Sequence, residues 1–510
     1  MDRKHLSIII LAGFIVTWLF FASLAWLFIK YRRGFTEVSY VDIVFPTRWP
    51  QHQQRMGDFY VARAKLLFSQ GDYASGGDFL RAGVARSPEN IDGQVLLANF
   101  YAALDRPDLA RAVWEQNFEK LKLNRAHLRA SLSFFAGLRE DKIILEKCLA
   151  LLNSGNALDQ ATQHMLAAHA ADAAFNLGDY QEAEQLVRRF LPTNSVDTTL
   201  ITTKIEWDRG YRDLALQNLR AAITRFPEED ALRTTELVFL RLNGDVNAWA
   251  NAVIERIVAN PDSGEAYIEY IHLLRAQQKH ERASAEAESY LQRFSQNPTA
   301  LLALADFAAK TGQPKIALQV QHLLENRGPF GAPASLMVIE AHVMAHDYQT
   351  AISLCADYAT KSPEWVIQYA AVLHGLQAIA YNGLGKKDEA RLQLGLLFDQ
   401  RNLRAENLVA VASQLSAQGS RDLALETLAR AVEADPRNES ALTNLIQTQL
   451  DLHETAEITQ HLPQFLANRK PSRELATKIY RELGSDQHLF DPQHAAHLAS
   501  LKELMEAKTP

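Results

Sequence analysis

Short turns recur along this chain on a ruler of 34 residues. Gly71, Gly210, Gly244, Gly312, Gly385 and Gly419 each separate two helical patterns; Gly210 to Gly244 is 34 residues, Gly244 to Gly312 twice 34, and Gly385 to Gly419 again 34. Five residues after most of these turns comes a small residue: Gly76, Ala215, Ala317, Ala390 or Ala424. Seventeen residues after a turn comes a proline that a helix cannot pass: Pro88, Pro227, Pro261 and Pro436, with Pro363 in the same place after His346-Asp347-Tyr348. A fixed period of this length predicts a stack of helix–turn–helix units, each packed only on its neighbours, and no single central core.

Extending the ruler gives further turns. Asp105 and Gly178 carry local turn signals, and Arg139, Gln278 and His453 fall on the ruler by extrapolation, for about twelve units in all. The spacing slips by five residues between Arg139 and Gly178 and between His346 and Gly385, and shortens by two between Gly178 and Gly210. The first unit is expected from Gly57 to Asn90, with Phe59, Tyr60, Ala64 and Leu67 on one helix and Gly76, Leu80 and Gly83 on the other. The cluster from Asn326 to Pro333, containing Gly328-Pro329 and Gly331, reads as a long loop between repeats or as a hinge at 327–334. After Pro471, residues 472–484 and 493–507 read as two polar helices that cap the stack, and Lys508-Thr509-Pro510 as a frayed end.

The N-terminus is different in kind. Leu6 to Ile29 is 24 residues without a charge, about 36 Å as a helix against a hydrocarbon core of about 30 Å. Trp18, Trp26 and Tyr31 suit the interfaces, and Arg3, Lys4, Lys30, Arg32 and Arg33 bracket the run. A cleaved signal peptide is the rival, with Ser23-Leu24-Ala25 as the cleavage site, but the apolar run continues past it to Ile29. The count of flanking cations leans slightly to a cytoplasmic body, in a membrane of bacterial inner-membrane type, and leaves the side undecided. The expected organisation is a tail at 1–5, a transmembrane helix at 6–29, a linker at 30–56, a solenoid at 57–470 and capping helices with a tail at 471–510. The linker, broken by Pro46 and Pro50, is expected to be extended with apolar anchors.

No catalytic or cofactor motif appears: no phosphate loop, no Gly-x-Ser-x-Gly elbow and no His-Glu-x-x-His. His494 and His497 lie three apart with no acidic or Cys partner at ligand spacing, and His164 and His169 share no helical face. Cys148 and Cys355 fall where Leu80, Val187 and Leu428 fall in other units, so both read as core thiols. A net charge of −7 gives no reason to expect nucleic acid. Catalytic, metal and cofactor sites are therefore all expected to be absent.

The stretches Ala378-Ile379-Ala380-Tyr381-Asn382-Gly383-Leu384-Gly385-Lys386-Lys387-Asp388-Glu389-Ala390 and Asn176-Leu177-Gly178-Asp179-Tyr180-Gln181-Glu182-Ala183, with Ala424 through Ala431 to Pro436, resemble the tetratricopeptide repeat family over roughly 57–470. The resemblance implies an all-α fold, a right-handed superhelical α-solenoid of antiparallel helix pairs, here joined to one N-terminal transmembrane helix. It also implies a groove lined by the first helices that holds peptide segments or helices of partner proteins. The groove positions carried over are Lys65, Asn99, Arg129, Lys204, Trp207, Arg241, His272, Arg275, Asp306 and Glu340. The middle of this set is basic, which suggests acidic partner segments. Some family members clamp a chaperone's C-terminal carboxylate; Asn99 matches that clamp, but Val95 stands where its Lys should be, so the clamp is not expected. The bacterial regulators of lipopolysaccharide synthesis also join a span to these repeats, but they end in a metal domain with two CxxC pairs that this chain lacks.

These readings point to a membrane-anchored scaffold for protein partners in an envelope assembly, secretion or polysaccharide system, with the bilayer contacted through Leu6–Ile29. The alternatives are a structural spacer or self-assembling component and, further off, a repeat-bearing enzyme such as a glycosyltransferase.

Overall fold

The turns carry the architecture. In the computed structural model every turn residue named above that lies among the described residues has a left-handed backbone: Gly71, Gly178, Gly210, Gly244, Gly312, Gly385 and Gly419, and also Arg139, Gln278, His346 and His453. The structure describes the chain except residues 1–2, 105, 122–123, 155–157, 326, 328–329, 362–366, 401–402, 469–470, 486–492 and 507–510, together with the side chains of 3–11, 121 and 456. The expected turn at Asp105, the break at Pro363, Gly328-Pro329 and the end at Lys508 lie outside the described residues.

Most of the turns close the preceding helix the same way. At Gly210 the amide donates to Trp207 O and the next amide, of Tyr211, reaches back to Glu206 O at 2.9 Å. At His346 the same pair runs from His346 N to Val343 O and from Asp347 N to His342 O. This is the helix C-cap in which one left-handed residue satisfies two orphan carbonyls. Glycine adopts φ +89° at Gly210 without strain, whereas the four non-glycine turns hold it against a cost of about 1–2 kcal/mol each.

The described residues are helical, with no strand among them. Five residues past the turn, Ala215, Ala317, Ala390 and Ala424 are fully buried. A methyl there lets the second helix of a unit lie close to the first, so the small residues seen in the sequence are packing positions. Many first helices begin on a side-chain cap: Asn90, Asn124, Ser195, Ser263, Asn297 and Asn438 each accept from amides of the first turn. Neighbouring units are also tied by charge. Buried Arg256 on the helix Val246–Ala259 donates to Asp230 at 2.9 and 2.5 Å and to Glu265 at 3.1 Å, joining the starts of two first helices. Cys148 and Cys355 are buried, and burial pushes both thiols up to about 12, so they stay protonated.

The chain forms two compact units, 1–174 with 185–191, and 175–184 with 192–510. Unit 1 opens with the apolar helix α1, Arg3–Leu27, followed by a π-helical turn Phe28–Arg32. The stretch after it departs from the extended linker expected. It turns at Gly34 (φ +72°), forms a short helix α2, Tyr40–Val44, and a 3-10 turn Pro46–Arg48, and enters α3, Trp49–Ser69. Pro50 starts this helix instead of barring one, because a proline in the first turn has no amide to lose. The segment packs back on α1: the indole of Trp18 donates to Val44 O, that of Trp26 donates to Val38 O, and Trp18 lies 6.0 Å from Trp49. Asp42 is buried and held by Arg48 and Arg55. The helix α4, Tyr73–Arg86, crosses α3 where Gly83 meets Gly57; a Cβ on Gly83 would stand 2.9 Å from Gly57 O.

Unit 2 ends with the helices Arg473–Leu483 and His494–Glu506. They are less polar than the sequence suggests. Leu475, Ala476, Ile479, Leu483 and Leu501 join the same buried cluster as Ile458 and Phe465. His497 is buried and not solvated, and His494 Nε2 lies 2.7 Å from Leu483 O.

Candidate interaction groove

Four consecutive first helices of unit 2, Asp230–Asn243, Gly264–Ala276, Pro298–Lys310 and Gly331–Met344, present side chains at the registers six and three residues before each turn. Arg241, His272, Arg275, Asp306 and Glu340 occupy these registers, and the structure brings them into one electrostatic row. Arg241 lies 3.6 Å from Glu269, which also accepts from the Trp249 indole at 3.0 Å. The His272 ring meets Phe307 edge-on at 4.9 Å, and the Arg275 guanidinium lies 5.9 Å from the same ring. Lys310 pairs with Asp306 at 2.8 Å, one helical turn apart.

Titration follows from this packing. Burial lowers the His272 pKa below its usual value; Glu269 raises it, Arg241 and Lys310 lower it further, and Asp306 raises it. His272 is therefore neutral at pH 7. Burial raises the Glu340 pKa, Asp306 raises it further and Lys310 opposes both.

The row corrects the expected charge. Arg241 lies beside Glu269, Lys310 beside Asp306, and Glu340 feels both Asp306 and Lys310, so the groove carries both signs and is not cationic as a whole. Trp207 is also corrected: it is 7% exposed and stacked on Phe239 at 4.2 Å, so it packs one first helix on the next and offers no surface. Lys204 lies in unit 2 with its ammonium 5.8 Å from the Phe175 ring. Lys65, Asn99 and Arg129 are exposed residues of unit 1.

The sequence reading passed over Glu269 and Lys310. Lys310 stands four residues after Asp306, and that spacing was a usable signal. Glu269 is nine residues before its turn, and the same register holds Leu376 and Ala410 in later units. These two belong to a hollow of about 350 Å3 that continues the groove. Lys310 and Glu340 stand on its rim, Val343, Met344, Leu376, Ile379 and Val411 make it apolar, and Asn407, Ser413 and Gln414 complete it. A second opening, of about 380 Å3, adjoins Arg241, Trp249 and His272. No group of three or more His, Cys, Asp or Glu side chains arranged to hold a metal occurs among the described residues.

No protein-family profile matches the chain, and no curated protein is similar to it. Solved structures are similar at low identity. A tetratricopeptide repeat protein from Parabacteroides merdae shares 16% identity, covering 49% of this chain and 97% of that one, with a TM-score of 0.32. Yeast Tom70 shares 14%, covering 87% and 99%, with a TM-score of 0.35. The complex of Naa15 and Naa10 bound to HypK-THB shares 15%, covering 96% and 78%, with a TM-score of 0.28. At such scores the likeness adds nothing to what the helix pairs and their turns already show: an all-α fold of tetratricopeptide type.

Proposed function

We propose that this tetratricopeptide-type repeat chain is a membrane-anchored scaffold. Its unit 2 groove holds a segment of a partner protein that carries charges of both signs and one apolar side chain. The observation behind the reading is the row of both signs, Arg241, Glu269, Arg275, Asp306, Lys310 and Glu340, leading into the apolar hollow at Leu376 and Val411. Such a surface supplies register through charge and affinity through one buried anchor.

The anchor is α1, an apolar helix of 25 residues, about 37 Å long by the helical rise. Three cations directly follow the apolar run against two before it, which favours a cytoplasmic body on an inner membrane of bacterial type. Held there, the groove works by effective concentration, gathering partners of an envelope assembly, secretion or polysaccharide system at the bilayer.

A photo-crosslinking residue in place of Met344 tests the groove in intact membranes. A partner segment should be trapped at this position and lost when Val411→Arg places a charge in the hollow. Trapping that persists in Val411→Arg would remove the groove from the reading.

A further inference from the structure

Unit 1 holds a second hollow, of about 460 Å3, between α1 and the start of α3. One wall is Phe21, Ala22, Ala25 and Ile29, on the apolar helix and the π turn that follows it. The facing wall is Ile43, Trp49 and Met56, with His52 and Gln53 between the last two. The two alanines leave the space: with no side chain beyond Cβ, they let a slot run along the helix between Trp18 and Ile29, roughly 16 Å by the helical rise.

Arg33 and Arg86 line the end of this slot beyond Ile29. They converge on one residue: Arg33 Nη1 donates to Tyr60 Oη at 3.0 Å, and the Arg86 guanidinium lies 5.3 Å from the Tyr60 ring. Arg86 also donates to Ala82 O. Neither guanidinium has a carboxylate partner within ion-pair distance among the described residues. Their neighbours differ in this respect, since Arg48 and Arg55 are both taken up by Asp42. The slot thus joins an apolar channel to two cations with unused donors, and one of its walls belongs to a helix long and apolar enough to cross a membrane.

We propose that this slot binds one anionic phospholipid, with an acyl chain between α1 and α3 and the phosphate between Arg33 and Arg86. The site rests on the reading of α1 as a bilayer anchor. Guanidinium offers a planar pair of donors that fits phosphate oxygens, and basic sites at the membrane edge of a helix are where anionic headgroups are held. A zwitterionic headgroup would bring its own cation beside two guanidiniums, so the arrangement selects for net negative charge.

Native mass spectrometry of the full chain in detergent, with phosphatidylglycerol or phosphatidylcholine added, tests the assignment. Phosphatidylglycerol should be retained one to one and in preference to phosphatidylcholine. Arg33→Gln with Arg86→Gln should abolish the preference. Ala25→Phe fills the channel but leaves both guanidiniums, and it should abolish retention; a free phosphate ion would not notice it. Equal retention of the two lipids by the wild-type chain, or unchanged phosphatidylglycerol retention in both variants, would overturn the site. Alkaline carbonate washing of vesicles carrying the full chain separates the two readings. Extraction into the wash would remove the anchor and the lipid site together, whereas a chain that stays in the vesicles without a lipid preference would remove the site alone.

Discussion

Two of the hollows among the described residues, one in each unit, are largely apolar but differ at their rims. The one in unit 2 is edged by Lys310 and Glu340, a cation and an anion, and continues a row that carries both signs. The one in unit 1 is edged by Arg33 and Arg86, two cations with no carboxylate at ion-pair distance among the described residues. Apolar lining alone therefore does not identify an occupant. A balanced rim suits a polypeptide, which brings both signs; a bare cationic rim suits a ligand with one concentrated negative charge.

The largest effect expected is at the unit 2 hollow. Val411→Arg puts an unpaired cation on an apolar wall and should weaken capture of the partner segment by at least about 100-fold, the scale of losing a central interface anchor; anisotropy with the trapped segment measures it. The helix crossings near the hollows differ next. Gly83→Ala puts a Cβ 2.9 Å from Gly57 O, backbone that cannot yield, and should cost about 2.5 kcal/mol. Gly375→Ala meets only Val411 Cγ2 at 2.9 Å, a side chain that can rotate away, and should cost about 1 kcal/mol. Urea unfolding of the full chain in detergent compares the two; equal losses would show the two crossings to be equally tolerant.

The turns make a similar pair with smaller effects. Gly71 has φ +82° and open space around it, so Gly71→Ala should cost about 1 kcal/mol, the left-handed backbone alone. Gly312 has φ +64° and its Cβ would stand 3.0 Å from Met344 O, beside the unit 2 hollow, so Gly312→Ala should cost about 2 kcal/mol. The smallest effect concerns acid. The folded pKa of His272 is depressed below its unfolded value of 6.5. The unfolded chain therefore binds the proton first, and the stability present above pH 6.5 is lost as pH falls through the folded value. His272→Phe should narrow the difference between urea midpoints at pH 7.5 and pH 5.5; an unchanged difference would assign the acid response to His52 and His461, which burial depresses likewise.

The repeat was legible because its signals are local. A left-handed turn, a methyl at the helix crossing and a proline stop each write themselves into a single position. Arg139, Gln278 and His453 show the strength of the period, since each adopts the left-handed turn without the glycine that would advertise it. The groove was half legible. Register placed Arg241, His272, Asp306 and Glu340 together, but the same register put Trp207 in the core, because whether a residue three before the turn faces solvent depends on the neighbouring helix and Phe239 covers it. Glu269 neutralises Arg241 from another helix, a pairing that no spacing along one helix reveals. The segment after α1 was misjudged because Pro46 and Pro50 read as helix breakers, while position makes Pro50 a helix starter.

The indoles of Trp18 and Trp26 donate to carbonyls of Val44 and Val38, and Phe35, Val38, Met56 and Tyr60 share a cluster with Trp26 and Ile29. This sets where the chain can be cut. Trimming to Gly57, where the periodic pattern begins, would sever α3 eight residues into its length and strip Tyr60 of its cover. Trimming after Ile29 would leave the cluster without Trp26. An excised repeat array that dissolves freely in water would thus have lost part of its own foundation, and the intact body is obtained only with the greasy helix attached.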